Sequence, residues 1–134
     1  MFANQSVLKS ASVRLVMAAL VIFLLPLSAL HAEGDAGKGK KVFNKCKTCH
    51  SLEDGKNKIG PHLFGMFGRT AGAVEGFKYS DAMKDSGVVW DDETLDALIT
   101  KPKDFMPGTK MAYSGLKKET QRQDLIAFLK EATQ

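Results

Sequence analysis

Two cysteines separated by two residues and followed at once by a histidine, Cys46-Lys47-Thr48-Cys49-His50, are the residues of this chain best placed to do chemistry. On one helical turn, two intervening residues set the thiols about as far apart as the adjacent vinyl groups of a porphyrin. Thioether formation at both sulfurs would fix a haem covalently to the chain, and this spacing is the mark of c-type haem attachment. His50 follows the second anchor directly, so its imidazole can reach the iron as the proximal axial ligand. Zinc, a redox dithiol and a disulfide are the competing uses of such a pair. Structural zinc wants four ligands, and the chain has no third cysteine. A redox dithiol of the thioredoxin kind sits among alternating strands and helices, a pattern absent here.

A haem held by one histidine keeps an open iron position unless the chain supplies a sixth ligand, and that choice separates electron carriage from ligand binding or catalysis. Beyond the N-terminal segment the candidates are His62, Met66, Met83, Met106 and Met111. A methionine ordinarily fills a core. Met111 stands apart because it closes Pro107-Gly108-Thr109-Lys110-Met111, a Pro-Gly turn that can present a thioether toward a ring.

The elements that must position these groups are helical. Asp35 is a good N-cap for a helix leading to the cysteine motif, with Val42 and Phe43 as its apolar content. Gly37 and Gly39 weaken that helix, so it needs tertiary support, and Gly39 shares a face with Phe43 where another helix can come close. Ser80 caps a short helix over Asp81 to Asp85 that ends near Gly87. A further helix starts at Asp91 or Asp92 and runs to about Thr100, with Leu95, Leu98 and Ile99 as its apolar stripe and Pro102 stopping it soon after. The clearest helix spans about Lys118 to Glu131, with Leu125, Phe128 and Leu129 on one face and Ile126 beside them. Residues 51–79 are glycine-rich, contain Pro61 and keep no period, so they read as loop. A loop this long argues against a core made of protein alone, an objection that a large prosthetic group removes. No strand pattern of any length appears, and the predicted class is all-α with long loops.

Residues 1–32 carry Lys9 and Arg14 ahead of an uncharged apolar run from Leu15 to about Leu30, the pattern of a signal peptide. The run is short for a membrane span, which takes about 20 residues, and Pro26 and Ser28 break its end. Cleavage after Ala32 leaves one domain over 33–134; the alternative is an uncleaved anchor that tethers it. Export to the periplasm also suits the motif, since cysteines are handled there outside the reducing cytosol. Without Lys9 and Arg14 the chain holds 17 Lys plus Arg against 15 Asp plus Glu, so the pI of about 9.1 gives nucleic-acid binding no support. Lysines gather at Lys40, Lys41, Lys45 and Lys47 and again from Lys101 to Lys118, while acids bunch at Asp91, Asp92, Glu93 and Asp96. A domain this small has a modest core of its own, and a buried haem would supply much of it; the apo chain should fold poorly.

From about Gly34 to Thr133 the chain closely resembles the class I c-type cytochromes, above all the soluble carriers of mitochondria and alphaproteobacteria. The resemblance rests on Gly39 and Phe43, the Cys46 to His50 motif, Gly60-Pro61, Gly65 with Phe67-Gly68-Arg69, Gly76-Phe77-x-Tyr79, Trp90, Pro102, Pro107 to Met111 and the last helix. It implies a small single-domain fold around one haem c, with His50 and Met111 as axial ligands. It also implies that the Pro61 carbonyl orients His50, and that Arg69, Tyr79 and Trp90 bind or shield the haem propionates. The chain departs from the family at several positions. Leu98 replaces a common tyrosine and Met83 an asparagine, which predicts a drier, more apolar pocket. His62 stands where asparagine is usual and Phe64 where histidine is common, so His62 is expected at the surface or behind the axial ligand, not on the iron. Tyr113 takes a usual phenylalanine's place beside the haem edge, with its hydroxyl toward water.

With both axial positions filled by protein, such a haem exchanges one electron and does not readily bind oxygen or peroxide. The expected function is a periplasmic electron carrier, a monomer that is not an enzyme. Its expected donor is a quinol-oxidising cytochrome complex or a periplasmic dehydrogenase, and its acceptor an oxidase, reductase or photosynthetic centre. Lys45, Lys47, Lys101, Lys103, Lys110 and Lys118 are the candidate docking cations. The rival reading is a haem enzyme or gas sensor in which Met111 is displaced, left open by the loss of the tyrosine at Leu98. No phosphate-cradling glycine loop and no nucleophile with a base appears.

Overall fold

The computed structural model describes residues 33–134. The expected leader at residues 1–32 and its cleavage site lie outside the described residues.

Helix α1, Ala36–Val42, starts where the Asp35 carboxylate accepts the Lys38 backbone N–H at 2.9 Å, and it runs on into a 3-10 turn over Phe43–Lys45. The long C-terminal helix, Glu119–Ala132 and numbered α5 below, supplies the support that the two glycines of α1 demand. Gly39 is buried in that contact: a Cβ there would run into the Asp124 carbonyl and lie 2.7 Å from the Phe128 Cβ. Phe43 and Phe128 meet alongside with ring centroids 5.4 Å apart and planes tilted by 46°, a geometry aromatic pairs favour. The backbone N–H of Asp35 donates to Asp124 Oδ1 at 2.8 Å, so even the start of α1 is bound to α5.

Three shorter helices lie between. Helix α2, Asp81–Lys84, is capped by Ser80, whose hydroxyl accepts the Met83 N–H at 3.2 Å. Helix α3, Asp92–Thr100, opens with a reciprocal capping box between Asp91 and Thr94. Its predicted stripe of Leu95, Leu98 and Ile99 is buried. The acidic run is thus partly structural: Asp91 caps, Asp92 pairs with Lys130 at 2.9 Å, and Asp96 accepts from Arg122 Nε at 2.8 Å, tying α3 to α5. Pro102 does more than end α3. It opens α4, Pro102–Phe105, a four-residue helix beyond the expected stop. Proline suits the first turn of a helix, where its missing N–H has no partner to lose, so one residue both stops and starts.

Residues 51–79 contain no helix, as predicted, and are held by pairings to distant segments. Gly68 N–H donates to Trp90 O at 2.8 Å, Trp90 N–H to Arg69 O at 3.0 Å, and Ala71 N–H to Val88 O at 2.7 Å. The described residues include one isolated bridge, Thr70 with Val89, and no strand. The core that results joins the α1, α3 and α5 side chains to Met66, Met83, Trp90 and Met106.

Candidate functional site

The 3-10 turn after α1 carries the chain into Cys46 with the backbone still coiled: Cys49 N–H and His50 N–H both donate to Cys46 O, each at 3.0 Å. Cys46, Cys49 and His50 thus lie on one turn, all half-buried, with both thiols free. Burial pushes the Cys46 thiol up to about 11, the Cys49 thiol beside it adding to the shift, so Cys46 is uncharged at neutral pH. Among the described residues no group of three or more His, Cys, Asp or Glu side chains gathers as a metal site would require, and the zinc reading has no support.

His50 is held on two sides. Its Nδ1 lies 2.8 Å from Pro61 O; a carbonyl only accepts, so Nδ1 carries the proton and Nε2 keeps its lone pair. Burial lowers the imidazole's pKa, and the Pro61 carbonyl works in the opposite direction. Gly60 lies flat against the ring: a Cβ at that position would stand 2.5 Å from His50 Cε1 and 2.9 Å from Nδ1. Gly60-Pro61 therefore acts as a unit, glycine for the approach and proline for the acceptor.

Met111 is carried by a turn of its own. Thr109 N–H donates to Met106 O at 3.0 Å, closing the turn over Pro107-Gly108, and Met111 N–H donates to Thr109 Oγ1 at 3.2 Å. Lys110 Nζ reaches Tyr79 O at 3.3 Å and clasps this loop to the 70s loop. Cys46, Met111, Tyr79 and Tyr113 are all part-buried against the same core. Burial raises the Tyr113 hydroxyl's pKa, and the Cys46 thiol acts in the same direction. Met83 and Leu98 are buried in the adjoining core, in keeping with the apolar surroundings that their departures from the family predict.

Arg69, Tyr79 and Trp90 share a neighbourhood. Burial raises the Tyr79 hydroxyl's pKa and the Arg69 charge opposes it; Trp90 is buried and pairs through its backbone with Arg69. The guanidinium donates from Nη1 to Phe64 O at 2.7 Å and from Nη2 to His62 O at 3.3 Å, leaving other N–H groups free. Residues 61–64 thus offer carbonyls to His50 and Arg69 together.

His62 differs from one expectation. It is not at the surface but 7% exposed, with a buried Nδ1 that has no hydrogen-bond partner and an Nε2 that lies 3.8 Å from the exposed Asp54. The physical reason is the 51–62 loop, which folds its Asn57 side chain onto the His62 N–H at 3.0 Å and turns the ring inward. The parts played by Thr109, by Lys110 as a clasp and by Asn57 emerge only in the folded chain. Thr-x-Met and the nearby Pro-Gly were visible as a turn; the partners of Lys110 and Asn57, at Tyr79 and Glu75, were not, since 31 and 18 residues separate them.

Paired free thiols on one turn, a histidine pinned through Nδ1 with Nε2 available, and a glycine shaved flat beneath the ring fit a covalent haem. The fold and the site define a small all-helical c-type haem protein. The family model described as cytochrome c matches residues 36–133. The chain is 52% identical over 103 residues to a cytochrome c of Stellaria longipes, covering 75% of this chain and 95% of that one. It is 48% identical over 111 residues to a cytochrome c of Arabidopsis thaliana, covering 81% and 99%. A cytochrome c2 of Blastochloris viridis is 47% identical over 112 residues, covering 82% and 88%. The chain belongs to the cytochrome c family. It is an electron-transfer protein rather than an enzyme, and it carries one haem c attached at Cys46 and Cys49.

Proposed function

We propose that the protein is a periplasmic one-electron shuttle with His50 and Met111 as the axial ligands of its haem iron. The observation that carries the reading is the Nδ1 bond from His50 to Pro61 O at 2.8 Å, which fixes the ring and leaves Nε2 as the available donor one residue past the second anchor. Bound haem supplies reversible exchange of one electron at iron. The chain's own part is to hold that centre still. Gly60 and Pro61 fix the imidazole, and Thr109 with Lys110 fixes the loop that presents Met111. Arg69, Tyr79 and Trp90 serve the propionate side, where a partly buried charge needs donors. A site kept in one geometry in both oxidation states transfers electrons with little rearrangement.

Residues 1–32 act in this reading as an export signal, removed after Ala32, so that residues 33–134 work in the periplasm. The donor is a quinol-oxidising cytochrome complex or a periplasmic dehydrogenase, and the acceptor an oxidase, reductase or photosynthetic centre. Lys45, Lys47, Lys101, Lys103, Lys110 and Lys118 would steer acidic faces of those partners; all six are exposed, though Lys101 is paired with Asp104 at 2.6 Å. The test is the optical spectrum of the ferric holoprotein. The weak far-red band of sulfur bound to ferric haem should be present, and Met111→Ala should abolish it. A band that survives in Met111→Ala would remove Met111 from the iron. A ferrous wild type that takes carbon monoxide at neutral pH would favour a ligand-binding role.

A further inference from the structure

Ile59 is the most exposed of the large hydrophobic residues that stand in the open among those described, at 76%, well above Val89 at 47% and Phe64 at 36%. A single exposed apolar residue is ordinary on a protein surface. Ile59 differs in where it is held and what surrounds it. Its two neighbours are fastened: Gly60 N–H donates to Cys49 O at 2.8 Å, Lys58 N–H donates to Gly60 O at 2.9 Å, and Lys58 Nζ reaches back to Lys47 O at 2.8 Å. The residue therefore rides on a turn braced against the cysteine motif, one position from the glycine that touches the His50 ring. A β-branched side chain on a braced turn has little rotamer or backbone freedom left to lose when a partner covers it.

The charged residues tied to its turn toward the cysteine motif are basic. Lys58 precedes it, Lys47 is joined to Lys58, and Lys45 leads into the same motif, all exposed. Glu53 is spent on Lys56 at 3.0 Å, and Asp54 lies toward His62 at 3.8 Å, so the carboxylates of the loop do not face Lys45, Lys47 and Lys58 through any ion pair. An exposed apolar residue flanked by charge is an element of protein–protein contacts, with the apolar part excluding water and the charges choosing the partner.

We infer that Ile59 is the apolar anchor of the docking face, seated on association in an apolar depression ringed by carboxylates on the redox partner. The inference rests on the electron-shuttle reading above and names a contact within it. Lysines alone would set the encounter rate and its salt dependence. Ile59 would set how long the complex lasts and hold the partner beside the Cys49–His50 turn.

The experiment uses the holoprotein and a purified quinol-oxidising cytochrome complex as donor, with steady-state reduction followed over a range of ionic strength. Ile59→Ser should raise KM about fivefold at every salt concentration, the size of a modest hot spot, with kcat and the slope against salt unchanged. Ile59→Val should stay near wild type, and Val89→Ser should have no effect. Lys58→Gln should flatten the slope. Haem content, midpoint potential and the rate of reduction by a small chemical reductant should match wild type in every variant, which separates docking from damage to the site. Equal KM for wild type and Ile59→Ser would overturn the inference while leaving the shuttle reading intact. A wild type whose KM ignores salt would instead remove the basic rim and with it the shuttle's docking model. If Ile59→Ser leaves KM alone but abolishes self-association or binding to anionic vesicles, the anchor belongs to a second copy or a lipid surface, and the inference fails.

Discussion

Gly60 shows how much a site can depend on an atom that is not there. Its absent side chain lets the backbone lie against the His50 imidazole, and any Cβ would stand 2.5 Å from Cε1. Gly60→Ala must therefore push the ring away or tear Gly60 N–H from Cys49 O, a bond of 2.8 Å. Overpacking of this kind costs about 1–3 kcal/mol. The expected outcome is a lower melting temperature for the holoprotein together with a shifted ferric spectrum. An unchanged spectrum with lowered stability would show that the strain is taken up elsewhere. His50 and Arg69 draw on carbonyls of one short segment, Pro61 O and His62 O. A change in that segment is thus felt at two candidate site residues at once, one neutral donor and one cation.

At the scale of the element, the helices are short and lean on their caps. Helix α3 opens with Asp91 accepting the Thr94 N–H at 2.8 Å and Thr94 Oγ1 accepting the Asp91 N–H at 2.9 Å. The Thr94 N–H and hydroxyl hold the Asp91 carboxyl below its ordinary 3.8. A carboxyl whose folded value is depressed stabilises the fold fully above its unfolded value and loses that contribution as pH falls through the folded one. Asp91→Asn keeps a capping oxygen but not the charge. Its melting temperature should fall below wild type at neutral pH, and the gap should close as pH drops below about 3.8. A gap that stays constant into acid would show that the hydrogen bond, not the charge, carries the cap. The sequence made α1, α2, α3 and α5 legible because each carries a capping side chain or an apolar stripe, and α2 and α3 a clear stop as well. It hid α4, whose four residues contain no periodicity and whose opening proline reads equally as the end of α3.

For the molecule as a whole, the 51–79 stretch has no regular structure of its own and is held by single bonds to distant segments such as Trp90 O and Thr133 O. Helices α1 and α3 both pack on α5, and Tyr79 and Met111 from the loops are part-buried against the same core as Cys46. A group bound only in the native state stabilises it, and covalent haem removes the option of release. The Cys46→Ser, Cys49→Ser chain, unable to attach haem, should show weaker far-ultraviolet helical dichroism than the holoprotein and no cooperative melting transition. A cooperative transition in that chain would mean that α1, α3 and α5 suffice as a core.

The motif, its histidine and the turn that presents Met111 were open to reading in the sequence because each is local: a spacing, an adjacency, a Pro-Gly pair. So was the helical face of Gly39 and Phe43, since 3.6-residue periodicity fixes which residues point together. The inward turn of His62, the Lys110 clasp on Tyr79 and the exposure of Ile59 were decided only by the tertiary structure. Each depends on which distant segment arrives beside it, and Lys110 and Tyr79 stand 31 residues apart with no pattern between them that records the meeting. Local chemistry is written in consecutive residues, whereas burial and long-range pairing are properties of the folded chain alone.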